Sequence, residues 1–427
     1  MSDEYPFRGI MQRKRIFHIH KIVLIAAIAL FVFLSVYSVK IIAQPASSKA
    51  QSSPSATNSF PELARKALVA RDSGRLDEAV PLLKQALTIN PRWAEGWWSL
   101  GTIDYDNDRY SSAANAFRKV VTLNPQHGTA RAMLGLCEFE LGQDASALQY
   151  IEASKSLGIV EDPQLRQVVL YHEGLLLQRS GRFEGAQKAL SSLCLSGVGS
   201  EELTLTFGMT VLHIREVKPP APGTQQAEIV AHLGHGACLG AQKNYDAARQ
   251  EYDFIASQYP HFPLLHYAYG KLLLEARDRT AAIHEFQQEI AEAPKSILPR
   301  LQIAAAEYKV DSAAGIPYAD EAVRLDPQAP FSHYVLGLLL LDTGAYSQSI
   351  PHLEIARKAF PRESKIEWSL SVAYAHVGKP QQAAQARAAF ARLNQSAGQE
   401  SSNTSSTLTP DAGSQIEITD SAVTAGR

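Results

Sequence analysis

Proline recurs through the middle of this chain at a nearly fixed interval. Pro91 to Pro125, Pro260 to Pro294 and Pro327 to Pro361 are each 34 residues apart, and Pro294 to Pro327 is one shorter. Asn90, Asn124 and Asp326 precede three of them. Such pairs stop one helix and turn the chain into the next, because the residue before proline is driven out of the helical region. A period of this length is a single supersecondary unit, too short to bury its own apolar face. It becomes stable only by stacking on its neighbours. The proline spacing therefore predicts an extended array rather than one closed core.

Small residues repeat in the same register. The first half of a unit carries Leu100-Gly101, Leu134-Gly135, Glu173-Gly174, His235-Gly236, Tyr269-Gly270 and Leu336-Gly337. Glycine inside a helix costs about 1 kcal/mol against alanine, so six at matched positions need a common reason. Twelve residues after each glycine comes Ala113, Ala147, Ala186, Ala248, Ala282 or Ser349, and four further on Phe117, Ile151, Leu190, Tyr252, Phe286 or Leu353. This pattern predicts pairs of helices in which one small residue admits one large residue at each crossing.

The second unit, with Trp97, Leu100, Gly101, Tyr110, Ala113, Phe117 and Pro125, resembles the tetratricopeptide repeat (TPR) family. The resemblance implies an all-α fold, a right-handed α-solenoid of about nine helix-turn-helix repeats. Their starts fall near Phe60, Ala94, Gly128, Gln167, Ile229, Pro263, Ile297, Pro330 and Ser364. The third unit has Ile159 in the proline slot, and the seventh is degenerate around Ala313–Pro317. Ser59-Phe60-Pro61-Glu62 reads as a capping box opening the first helix. Residues 201–228 break the register: 201–215 read as a lone helix with Gly208 in the small slot, before Pro219, Pro220 and Pro222. The expected organisation is an N-terminal array over 59–200, this seam over 201–228, and a C-terminal array over 229–396.

The flanks have another character. Residues 1–21 form a basic region holding Arg8, Arg13, Lys14, Arg15 and Lys21. Ile22 to Val39 run without a charge, about 27 Å as a helix, close to the ~30 Å hydrocarbon thickness of a bilayer. Residues 22–43 are therefore expected to be a transmembrane or signal helix preceding the array, and the positive flank places the repeats on the extracytoplasmic side (periplasmic, if bacterial). Cleavage after Ala43 would instead release a secreted or periplasmic chain. Residues 44–58 read as a flexible linker and 397–427 as a disordered tail.

Net charge is −2, from 41 basic and 43 acidic residues, which offers no field for a nucleic acid. Three scattered cysteines, Cys137, Cys194 and Cys238, do not read as a disulfide framework. The sequence has no phosphate loop, zincin or hydrolase-elbow motif. His232, His266 and His333 share one repeat slot with Trp97, which reads as helix contact rather than metal ligation. No catalytic residue, cofactor or metal is expected.

The fifth position of the units reads Trp98, Tyr171, Tyr267, Tyr334 and Trp368. In the TPR family this position faces the concave groove where partner segments lie, and Tyr105, Arg179, Lys271 and Tyr308 share the inferred face. The alternative is that the aromatics pack between units, and both readings stand at this point. The family's chaperone-carboxylate clamp needs lysine here with asparagine four later. Trp98/Thr102, Tyr267/Lys271 and Tyr334/Leu338 do not supply it. The expected function is a non-catalytic scaffold binding a protein or peptide segment outside the membrane. An accessory subunit of an envelope enzyme, such as a glycan transferase or secretion complex, is the alternative. The alanine-rich Ala383–Leu393 leaves an edge for possible self-association.

Overall fold

In the computed structural model, residues 59–159 and 163–403 are described. The expected membrane or signal segment at 22–43, its basic flank, the linker and the tail beyond residue 403 lie outside them. Among the described residues no helix is long and apolar enough to cross a membrane.

The described residues form nineteen helices. The first seven are α1 (Phe60–Asp72), α2 (Leu76–Ile89), α3 (Ala94–Asp106), α4 (Tyr110–Leu123), α5 (Gly128–Glu140), α6 (Asp144–Leu157) and α7 (Pro163–Arg179). Next come α8 (Phe183–Leu195), α9 (Glu201–Val211), α10 (Gln225–Ala241), α11 (Tyr245–Gln258), α12 (Leu265–Glu275) and α13 (Arg279–Glu292). The last six are α14 (Leu298–Glu307), α15 (Ser312–Leu325), α16 (Pro330–Asp342), α17 (Tyr346–Ala359), α18 (Ser364–His376) and α19 (Pro380–Asn403). There are nine consecutive helix pairs, with α9 standing alone between the fourth and the fifth. The seventh pair keeps its second helix although Pro317 lies inside it.

Two compact units divide within α7, the first ending at Leu176 and the second starting at Leu177. In the first unit a core runs through Ala113, Phe117, Leu134, Ile151 and Val169. In the second, a larger one links α14 to α19 through Leu301, Ala319, Leu336, Leu353, Leu370 and Ala383.

The small-for-large rule holds at five of the six crossings. A Cβ added at Gly101 would lie 2.8 Å from Phe117 Cε1, and one at Gly135 would lie 2.9 Å from Ile151 Cγ1. At Gly236, Gly270 and Gly337 the neighbour is Tyr252, Phe286 or Leu353, at 2.7, 2.5 and 2.8 Å. The alanines between them, Ala113, Ala147, Ala248 and Ala282, are completely buried. Each glycine is thus a socket for the side chain sixteen residues later.

The α9–α10 crossing obeys a different rule. A Cβ on Gly208 of α9 would overlap the Val230 carbonyl oxygen of α10, and one on Gly234 would overlap the Thr204 carbonyl oxygen of α9. Here backbone meets backbone, close enough for Cα–H···O contacts. Gly234 and Gly236 sit about 200° apart on the helical wheel, at roughly 100° per residue. One glycine therefore faces α9 and the other α11, while Gly240 meets Leu272 of α12 at 2.6 Å. The Gly-His-Gly run is explained by a helix packed on three sides.

Two sequence expectations need correction. Cys194 and Cys238 are joined by a disulfide between α8 and α10, with Cα atoms 5.4 Å apart, and only Cys137 is free and buried. The 44-residue separation, off the repeat period, hid this pairing from a reading by spacing. The capping box does not form either. Ser59 is the N-cap residue but its side chain makes no capping hydrogen bond, and Glu62 turns to Arg65 at 2.9 Å. A cation one turn on competes for that carboxylate.

Candidate binding face

The first helix of each repeat carries the candidate residues, and neighbouring repeats decide which remain open. Tyr267, 1% exposed, is the most enclosed. Its ring lies 5.5 Å from His213 and 5.9 Å from Phe286, and its hydroxyl accepts a hydrogen bond from Gln302 Nε2 at 3.2 Å. Its backbone N–H, with that of Leu264, donates to the buried Glu289 carboxylate at 3.2 Å. Tyr105, Tyr308 and Tyr334 are also buried. Burial pushes the Tyr105 and Tyr334 hydroxyls well above the usual phenol range. Trp98 is half-buried, stacked on His127 of the next repeat at 5.4 Å and edge-on to Phe117. Tyr171 is half-buried and edge-on to His172, and Arg179 is likewise half-buried. Lys271 donates to Gln187 Oε1 at 3.1 Å. Most of the expected row is therefore engaged in packing within or between repeats.

Trp368 is the exception, 48% exposed on α18. Among the described residues no repeat follows α19 to cover it. Lys365, three residues earlier on the same helix, points its Nζ at the Tyr308 ring, 5.5 Å from the centroid. Lys309 approaches the same ring at 5.6 Å. Both distances suit cation–π attraction. Burial and then the Lys309 charge lower the Lys365 pKa, while Glu363 opposes them. The result is a patch of two cations, a half-hidden tyrosine and an open indole. Lys365 escaped the sequence reading because it occupies the second position of its unit, outside the aromatic slot; its signal was only a lysine one turn before Trp368.

The recurring fourth-position residues have a structural task. Trp97 Nε1 donates to the Pro91 carbonyl at 2.8 Å, and Arg131 Nη2 to the Pro125 carbonyl at 2.9 Å. His266 Nε2 does the same to Pro260 at 2.9 Å, and His333 Nε2 to Pro327 at 3.1 Å. The slot selects a long donor that ties each helix start to the proline turn six residues earlier. The other histidine nitrogen reaches the paired helix, His266 Nδ1 to Glu285 at 2.7 Å and His333 Nδ1 to His352 Nδ1 at 2.8 Å. His232 and His235 share Glu251 at 2.5 and 2.8 Å. Among the described residues no group of three or more His, Cys, Asp or Glu side chains is arranged to hold a metal ion.

Models of the tetratricopeptide repeat match residues 63–92, 99–163, 239–297 and 334–397, together just over half of the chain. This chain belongs to the tetratricopeptide-repeat family. Solved structures with a similar fold include a crystal structure of MamA, 18% identical, covering 38% of this chain and 96% of that one with a TM-score of 0.36. A tetratricopeptide repeat protein from Parabacteroides merdae is 17% identical over 66% of this chain and 98% of its own, with a TM-score of 0.28. The APC/C hetero-tetramer Cut9-Hcn1 is 11% identical over 79% and 87%, with a TM-score of 0.33. No curated protein matches the sequence.

Proposed function

We propose that this TPR chain is a non-catalytic adaptor that holds a segment of another protein on the first-helix face of its C-terminal repeats. The observation that carries this reading is the open Trp368 beside Lys365 and Lys309, in a slot whose counterparts Tyr267 and Tyr334 are buried. An exposed indole gives large contact area at small entropic cost, and such residues dominate interface energetics. The two ammonium groups favour a partner segment with a carboxylate next to an apolar residue.

The adaptor works on the extracytoplasmic side of a membrane, anchored through residues 22–43 or released by cleavage there. The Cys194–Cys238 disulfide supports this placement, since such bonds persist in oxidising compartments and are rare in the cytosol.

The test is recovery of crosslinked partners from native membranes with the full-length chain, beside a Trp368→Ala, Lys365→Ala variant of unchanged helical content. A partner recovered with the parent and lost with the variant supports the reading. Equal recovery from both moves the site elsewhere.

A further inference from the structure

The first step of the array is open where the second is closed. Between α2, α3 and α4 lies a trough of about 810 Å³, lined by Asp77, Pro81, Lys84, Asp104 and Arg109 among others. Two of these residues form a register-matched pair. Lys84 and Asp104 each lie 34 residues before Arg118 and Glu138. One repeat on, Arg118 Nη2 meets Glu138 Oε1 at 2.8 Å and ties α4 to α5. In the first step the same charges stand on α2 and α3, yet Asp104 is taken by Arg109 of its own repeat. Nε and Nη2 of Arg109 both fall on Oδ1, at 2.8 and 2.7 Å.

The opposite edge of this step is held. Arg71 Nη1 of α1 donates to Ser99 Oγ of α3 at 2.6 Å, and the Phe60 ring packs edge-on to Trp93 at 5.6 Å. Pro81 lies inside α2 and lines the trough. Having no N–H, it cannot bond the Asp77 carbonyl one turn back, which weakens α2 on the open side. A step tethered along one edge and parted along the other has the form of a hinge.

We propose that the first repeat closes onto the second about the α1–α3 tether. Closure brings Lys84 Nζ onto Asp104, in competition with Arg109, and abolishes the trough. The device goes beyond the binding reading and stands without it. A pair formed at an exposed mouth is screened by salt, so closure weakens as ionic strength rises.

The test is a distance measurement between spin labels at Gln85→Cys on α2 and Lys119→Cys on α4, both exposed and 34 residues apart. The full chain carries Cys137→Ala and keeps its disulfide. Two separations are expected, the shorter several-fold depleted by about 1 M salt and by Lys84→Gln, an exposed change that leaves the core intact. Arg109→Ala, which frees the Asp104 carboxylate, enriches the shorter separation several-fold. A single separation unmoved by Arg109→Ala overturns the proposal. So does a shorter one indifferent to both salt and Lys84→Gln.

Discussion

The crossing of α12 with α13 and that of α9 with α10 both turn on glycine, and they use it in opposite ways. In the first, Gly270 is a socket for the Phe286 ring, so a missing side chain on one helix is matched by a large one on the other. In the second, Gly208 and Gly234 remove side chains from both helices and let each backbone meet the other's carbonyl. A ring can shift by a few tenths of an ångström, whereas a backbone carbonyl cannot. The regular crossing therefore tolerates substitution better than the irregular one. The irregular region also carries the disulfide, which joins α8 to α10 across the segment that contains α9.

The largest expected effect lies in that staple. Replacing Cys194 and Cys238 together by serine releases a loop with a sequence separation of 44 residues. The chain-entropy model assigns such a closure about 4 kcal/mol. Urea unfolding of the repeat region followed by circular dichroism checks it; a loss below about 1 kcal/mol removes the staple from the comparison.

Gly208→Ala comes next. Its methyl overlaps the Val230 carbonyl, so the cost is expected near the upper end of the ~1–3 kcal/mol typical of overpacking. Gly270→Ala is milder, because about 1 kcal/mol of helix propensity offsets the displacement of Phe286, and the net loss is expected within about 1 kcal/mol. Equal losses in the two variants, measured by the same unfolding curves, erase the distinction between the crossings.

The smallest effect is a pH dependence in α12. His266 has its pKa raised, first by its hydrogen bond to Glu285 and against the effect of burial. A histidine that binds its proton more tightly when folded contributes stability that is whole below its unfolded value of about 6.5 and is lost as pH rises through the folded value. His266→Gln is therefore expected to lower the melting temperature more at about pH 5.5 than at about pH 8.5. An equal deficit at both values would assign His266 to the proline-turn bond alone.

The pattern of success in reading the sequence follows from where each contact lies. Gly101 and Phe117 meet inside one repeat, and their spacing recurs, so their contact was legible from the period. Cys194 and Cys238 belong to helices on either side of α9, where the period fails, and nothing in their spacing marked them as partners. The aromatic slot was legible as a position but not as a surface. Tyr267 is covered by His213, which comes from the irregular segment, and Trp98 by His127 of the following repeat. A slot defines which way a side chain leaves its helix, whereas its exposure depends on what the rest of the chain lays over it. Trp368 stays open for that reason.

The central claim is that partner binding uses the C-terminal end of this face, and photo-crosslinking tests it most directly. A photoreactive amino acid is placed in turn at Trp98, Tyr171 and Trp368 of the full-length protein in native membranes. The account predicts one discrete protein adduct from position 368 and much less from positions 98 and 171, where the rings pack on His127 and His172. A discrete adduct from position 98 or 171 with none from position 368 would contradict it.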